Sequence, residues 1–229
     1  WTLAANWSPA TVPVAADDVY ITGGSADIDS IDQSSIALGR LVVGAGYSGN
    51  IGSGGALHID AASLDYSGQG TTAIFKGTYT TVTIQDTSSS ATAFKLDGDS
   101  DTVGLIRILG GKGTILLGAD CTINDNIEQI GASGVTTVVQ EGITLTGVDI
   151  ICDSGKMQVE ERPSNLTMFG GDIDVPISTG TVTSASLYGG RLRWTPTAAC
   201  AITTLTIYAG TFDSKESTAP EFTITNCTI

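Results

Sequence analysis

Large apolar residues in this chain stand at alternate positions in short runs, and many of these runs end at one or two glycines. The unit is clearest in Ala185-Ser-Leu-Tyr-Gly-Gly-Arg-Leu-Arg-Trp194, where a glycine pair separates two alternating stretches. Leu166-Thr-Met-Phe-Gly-Gly-Asp-Ile-Asp-Val175 precedes it, Leu205-Thr-Ile-Tyr-Ala-Gly-Thr-Phe-Asp-Ser214 follows it, and Ile106-Arg-Ile-Leu-Gly-Gly-Lys-Gly-Thr-Ile115 lies upstream. A period of two sends successive side chains to opposite faces of a strand, so each unit predicts two short strands joined at a tight corner. With the second small residue as anchor, anchors fall at Gly24, Gly46, Gly70, Ser89, Gly111, Gly134, Gly155, Gly171, Gly190 and Gly210. Their mean spacing, about 21 residues, is that of a stacked-repeat architecture in which each unit buries its apolar face against the next.

From Ile106 onward the repeat predicts columns. Five residues before the anchors stand Ile106, Ile150, Leu166, Ala185 and Leu205, and three before them stand Ile108, Cys152, Met168, Leu187 and Ile207. These are expected to point inward, as are Met157/Val159, Ile173/Val175 and Leu192/Trp194, two and four residues after their anchors. Two before the anchors, Phe169, Tyr188 and Tyr208 fall on consecutive coils as an outward aromatic ladder with steps of about 4.8 Å. Such a ladder either stabilises the stack or binds a glycan. The coil around Gly134 fits the columns poorly, and Arg162-Pro163-Ser164 reads as a corner or local break in the short gap before Gly171. Parallel pairing of successive coils is expected throughout residues 17–229, one solenoid domain. Residues 1–16, with Trp1, Trp7 and Pro13, read as a cap over its first layer.

Composition narrows the function. The 29 glycines and 41% apolar content suit short strands with frequent turns around a real core. A net charge of −14 with no basic patch argues against nucleic acid, whose phosphates are bound by clustered cations. No apolar run reaches the roughly 18 residues of a membrane-spanning helix. Matching columns hold Cys152 with Cys227 and Cys121 with Cys200, each pair four coils or about 19 Å apart, so the four cysteines are expected as free thiols.

Candidate chemistry is sparse. His58 is the only histidine and sits at an outward strand position, so no His-based metal cluster is available. Asp97, Asp99 and Asp101 alternate in a turn and form either a plain acidic turn or a calcium site, although Thr102 and Ile108 depart from the EF-hand pattern. Calcium there is the only cofactor this sequence suggests. Asp172 and Asp174 stand one coil from Arg191 and Arg193 and read as a cross-strand charge ladder. Phe222 and Ile224, in the last coil, are expected to form an assembly contact, because this stretch reads as another layer of the stack left open.

About ten parallel coils rich in threonine, asparagine and glycine resemble the right-handed β-helix group that includes pectate lyases and many bacteriophage virion proteins. The pattern of Asn6-Trp7-Ser8, Pro13 and Asp17-Asp18-Val19-Tyr20-Ile21 is similar to the start of repeat-rich solenoids found on phage particles and bacterial surfaces. The resemblance implies an all-β, single-stranded right-handed parallel β-helix. It also implies a structural virion protein, a capsid decoration or head-fibre component that contacts coat protein or other virion proteins, as a homotrimer. A carbohydrate-binding surface adhesin or tailspike-like protein is the alternative, and a β-helix polysaccharide lyase or hydrolase the second. The clustered aspartates, histidine and catalytic arginine of such enzymes are not assembled in this sequence, so a non-enzyme located in the virion is expected, with the cell surface as the alternative location.

Overall fold

A computed structural model describes residues 3–85, 93–98, 101–145, 147–177, 179–214 and 222–229. The chain is an all-β solenoid of about nine turns whose strands pair in parallel with those of the turns above and below. One face runs without interruption from Asp18–Ile21 through Asp149–Cys152, Asn165–Met168, Gly180–Leu187 and Cys200–Ile207 to Phe222–Thr228. A second face runs from Thr72–Lys76 through Lys112–Leu117, Lys156–Val159, Asp172–Val175 and Arg191–Trp194 to Thr211–Asp213. A shorter third face joins Thr102–Ile108 to Thr122–Ile123 and Thr144–Leu145. After Lys156–Val159 the chain turns back at Arg162-Pro163-Ser164 directly into Asn165–Met168, and that coil is correspondingly short.

The inward columns are those the alternation predicts. Ile150, Leu166, Ala185 and Leu205 pair in one register and are buried, and so are Cys152, Met168 and Leu187 in the next. Ile207 continues that column half-buried. Met157, Val159, Ile173, Val175, Leu192 and Trp194 are all buried on the opposite wall. Upstream, where the spacing is less regular, Tyr66, Phe75 and Phe94 fill the interior with ring centroids 5.2–5.8 Å apart. The corner glycines are required by geometry. Gly190 has φ +74, and a Cβ there would sit 2.5 Å from the Gly171 carbonyl oxygen of the preceding coil.

The coil assigned to Gly134 is corrected by the register. Ile127 pairs with both Ile106 and Ile150, and Gln129 with both Ile108 and Cys152, so the residue equivalent to the other anchors is Ala132. Relative to the Gly111 coil only Ser133 is added, since Gly134 and Val135 pair with Lys112 and Gly113; the next coil drops this step, and its Lys156 pairs with Thr136. This coil also breaks the apolar rule. Gln129 and Thr137 are fully buried, the Thr137 hydroxyl donating to Gln129 Oε1 at 2.6 Å and Gln129 Nε2 donating to the Ser154 carbonyl at 2.6 Å. The two polar side chains satisfy each other and the corner of the next coil, so their burial does not leave an unpaired group.

At the N-terminal end Trp7 packs against the core and Pro13 is buried, while Trp1 lies outside the described residues. The segment stands off the first layer, leaving a cleft of about 1180 Å³ lined by Trp7, Pro13, Tyr20, Ile28 and Tyr47. At the other end Cys227 is corrected by the register: it pairs with Leu205 and so lies in the column of Ile150 and Leu166 rather than in the Cys152 column expected from the spacing, and in the outermost layer it is exposed.

All four cysteines are free, and Cys121, Cys152 and Cys200 are buried. Burial pushes the Cys121 and Cys152 thiols up to about 12, so neither supplies thiolate near neutrality. A thiol reagent at about pH 8 is therefore expected to label Cys227 alone in the native protein and all four cysteines after denaturation without reductant. Native labelling of Cys152 would contradict its place in the core.

Candidate functional site

The outward position that follows each first-face strand builds the most continuous surface feature of the molecule. Register aligns Ile108, Gln129, Cys152, Met168, Leu187 and Ile207, so the residues after them stack as Leu109, Ile130, Asp153, Phe169, Tyr188 and Tyr208. Their backbone N–H groups carry the ladder onward, Phe169 donating to Cys152, Tyr188 to Met168 and Tyr208 to Leu187 at 2.8 Å each. Leu109, Ile130, Phe169, Tyr188 and Tyr208 are 40, 41, 52, 45 and 67% exposed. Among the described residues, these five are the majority of the nine exposed large apolar side chains and share one column, in which the exposed Asp153 separates Leu109 and Ile130 from the aromatic run.

The aromatic part of the ridge is a true stack. Phe169 and Tyr188 have centroids 5.1 Å apart at 16° between planes, and Tyr188 and Tyr208 are 4.6 Å apart at 10°. The rings therefore cover one another's faces and turn their edges to solvent. A sugar ring stacks on an aromatic face, and both faces of Tyr188 are taken by its neighbours; only the outer faces of Phe169 and Tyr208 are left uncovered by another ladder ring. Leu109 could have been found from the sequence, since it stands two before Gly111 in the same column. Ile130 could not, because the misplaced Gly134 anchor put it out of register.

Inward of the ridge, the same strands present small polar side chains. Asn165 Nδ2 donates to Asp149 Oδ1 at 2.6 Å, and the Ser184 hydroxyl donates to Asn165 Oδ1 at 2.6 Å, tying three coils together. Beyond the glycine corner lies the charge ladder, with Arg191 Nε 3.3 Å from Asp172 Oδ1 and Arg193 Nη1 3.5 Å from Asp174 Oδ2. The Thr195 hydroxyl also donates to Asp174 Oδ1 at 2.8 Å. These carboxylates are engaged with cross-strand partners on a shallow, part-exposed face.

The acidic turn is divided between different partners. Asp97 Oδ1 pairs with Lys95 Nζ at 2.6 Å, and Asp101 Oδ2 accepts the Gly77 backbone N–H at 2.7 Å; Asp99 lies outside the described residues. Among the described residues no group of three or more His, Cys, Asp or Glu is placed to hold a metal ion. His58 is outward, as expected, but it has company that linear spacing hides: Asp32 Oδ1 lies 3.7 Å from Nδ1 and Asp101 Oδ1 3.9 Å from Nε2. The Ser34 hydroxyl and backbone N–H, and after them His58, hold the Asp32 carboxyl below its usual value. The two carboxylates flank opposite ring nitrogens, so they do not converge on one point. Phe222 and Ile224 are half-buried in the final layer, paired through their backbone with the Cys200 and Ile202 positions.

The chain matches no protein-family model, no curated protein and no solved structure.

Proposed function

We propose that this chain is a structural component of a bacteriophage virion, a capsid decoration or head-fibre module in which the solenoid serves as a stiff projection and one edge serves for assembly. The observation that carries the reading is the column of exposed apolar side chains, ending in the stack of Phe169, Tyr188 and Tyr208, along one edge of a rod that carries charge ladders elsewhere. Successive coils are joined by continuous backbone pairing and by cross-coil contacts such as Arg40 to Asp65 at 2.6 Å and Arg107 to Glu128 at 2.9 Å, which resist slippage along the axis. A rod with a row of exposed apolar side chains along one edge is suited to being held sideways by other proteins. The virion as the setting comes from the resemblance of the repeat and N-terminal pattern.

The alternative of a carbohydrate-binding adhesin draws on the same ridge, and the outer faces of Phe169 and Tyr208 are what favour it. The two readings separate experimentally. Mass spectrometry of purified particles is expected to find the chain at a copy number related to capsid symmetry. Its absence from particles, together with glycan binding that Tyr208→Ala abolishes, would replace the virion reading with the adhesin.

A further inference from the structure

We propose that the ridge and the trough beside it form a self-association face whose occupant is a second copy of this chain. The proposal rests on the reading of the chain as an assembly module and names the partner of its exposed edge. Three features of the face point to a copy of itself rather than to another partner.

The first is charge. A chain of net charge −14 repels its own copies over most of its surface, so self-association requires a neutral approach. The later coils of the first face provide one: Asn165, Thr167, Ser184, Ser186, Thr204 and Thr206, the outward residues inward of the aromatic stack, are all uncharged, whereas the earlier coils of this face carry Arg40–Asp65, Arg107–Glu128 and Asp149. The strands Gly180–Leu187, Cys200–Ile207 and Phe222–Thr228 contain no ionisable acid or base apart from the cysteine thiols. A basic partner would be drawn to the acidic faces instead.

The second is shape. The ridge runs beside a corner without bulky side chains, formed by Gly170-Gly171, Gly189-Gly190 and Ala209-Gly210. Close stacking keeps it so, since a Cβ on Gly189 would meet the Phe169 carbonyl oxygen at 2.5 Å. Ridge and trough share one period of about 4.8 Å in every copy, so the aromatic edges of one chain match the spacing of the hollows of another.

The third is the ring geometry. Stacked rings present edges and hydroxyls, which pack into a groove, while their faces are largely unavailable to sugars. The contiguous part of the ridge is the run Phe169, Tyr188 and Tyr208, roughly 300 Å² of exposed ring surface, within the range of the largest apolar patch on an ordinary protein and set beside the neutral outward residues of the same coils.

The test is sedimentation velocity on the purified chain across concentration, with two variants on the face, Tyr188→Lys and Ser186→Lys, and one at the last layer, Phe222→Glu. Retained circular dichroism and denaturation midpoint establish that each variant folds, and Ser186→Lys, at an outward polar position, keeps the test usable if Tyr188→Lys does not. The expected result is a wild-type dimer or trimer whose dissociation constant rises at least about tenfold in both face variants and stays unchanged in Phe222→Glu. A wild-type chain that is monomeric at about 1 mM, or association lost only in Phe222→Glu, overturns the proposal. Detection in particles is read separately, so a monomeric chain found in virions refutes this interface while leaving the particle assignment standing.

Discussion

Leu187→Asp is expected to abolish cooperative folding or lower the melting temperature by tens of degrees, whereas Arg191→Ala, four residues later, shifts it by no more than a few. Leu187 is fully buried between Met168 of the coil below and Ile207 of the coil above. A carboxylate there has no cation within the column and costs several kcal/mol, a large share of the roughly 5–15 kcal/mol that holds a domain folded. The damage also spreads, because each coil of a solenoid is stabilised through its neighbours and a central defect uncouples the two halves. Arg191 is a part-exposed member of the charge ladder, 3.3 Å from Asp172. Exposed pairs of this kind contribute about 0–1 kcal/mol. Thermal denaturation of both variants checks the register, and equal shifts would refute it.

The register was legible because the chain states it redundantly. Where Phe-Gly-Gly, Tyr-Gly-Gly and Tyr-Ala-Gly recur at Phe169, Tyr188 and Tyr208, three inward columns, an outward ladder and a corner are all marked by the same few residues. The failure at Gly134 has a physical origin. Ser133 enters the corner after Ala132 and shifts Gly134 one place past the anchor position, and the inward position carries Gln129, whose amide is satisfied by Thr137 and the Ser154 carbonyl rather than by apolar neighbours. A pattern of apolar periodicity cannot register a buried polar pair, since its partners are eight and 25 residues away in sequence. The placing of His58 between Asp32 and Asp101 was hidden for the same reason, as stacking brings together residues separated by whole coils. The candidate surface was half legible. Alternation identified the aromatic ladder, but the mutual covering of its rings, which decides between a sugar platform and a packing edge, depends on side-chain angles that no spacing encodes.

Raising the pH from about 8 to about 11 is expected to remove several kcal/mol of stability, an alkaline sensitivity built into the core rather than the surface. Burial pushes Cys121 and Cys152 up to about 12 from an ordinary 9.0. It also raises Tyr66 and, with Asp101 and Asp60 nearby, carries Tyr79 well above the ordinary 10.0. For each of these acids the folded state keeps its proton while the unfolded chain releases it, so between the unfolded and folded values the unfolded state binds fewer protons and stability falls as pH rises. The loss begins near pH 9, where the unfolded thiols titrate, and is joined by the tyrosines near pH 10. About two pH units of differential titration at two thiols corresponds to roughly 5 kcal/mol before any relaxation of the fold, with the tyrosines adding to it. Arginine stays charged throughout, so the pairs Arg40–Asp65, Arg107–Glu128 and Arg191–Asp172 persist and do not produce the effect. Denaturant titrations at both pH values measure it, and Cys121→Ala with Cys152→Ala is expected to flatten the dependence while lowering stability at pH 8. A midpoint independent of pH, with all six tyrosines ionising near pH 10 in the folded protein, would show that these groups are in contact with water and that the interior is not closed as the strand register requires.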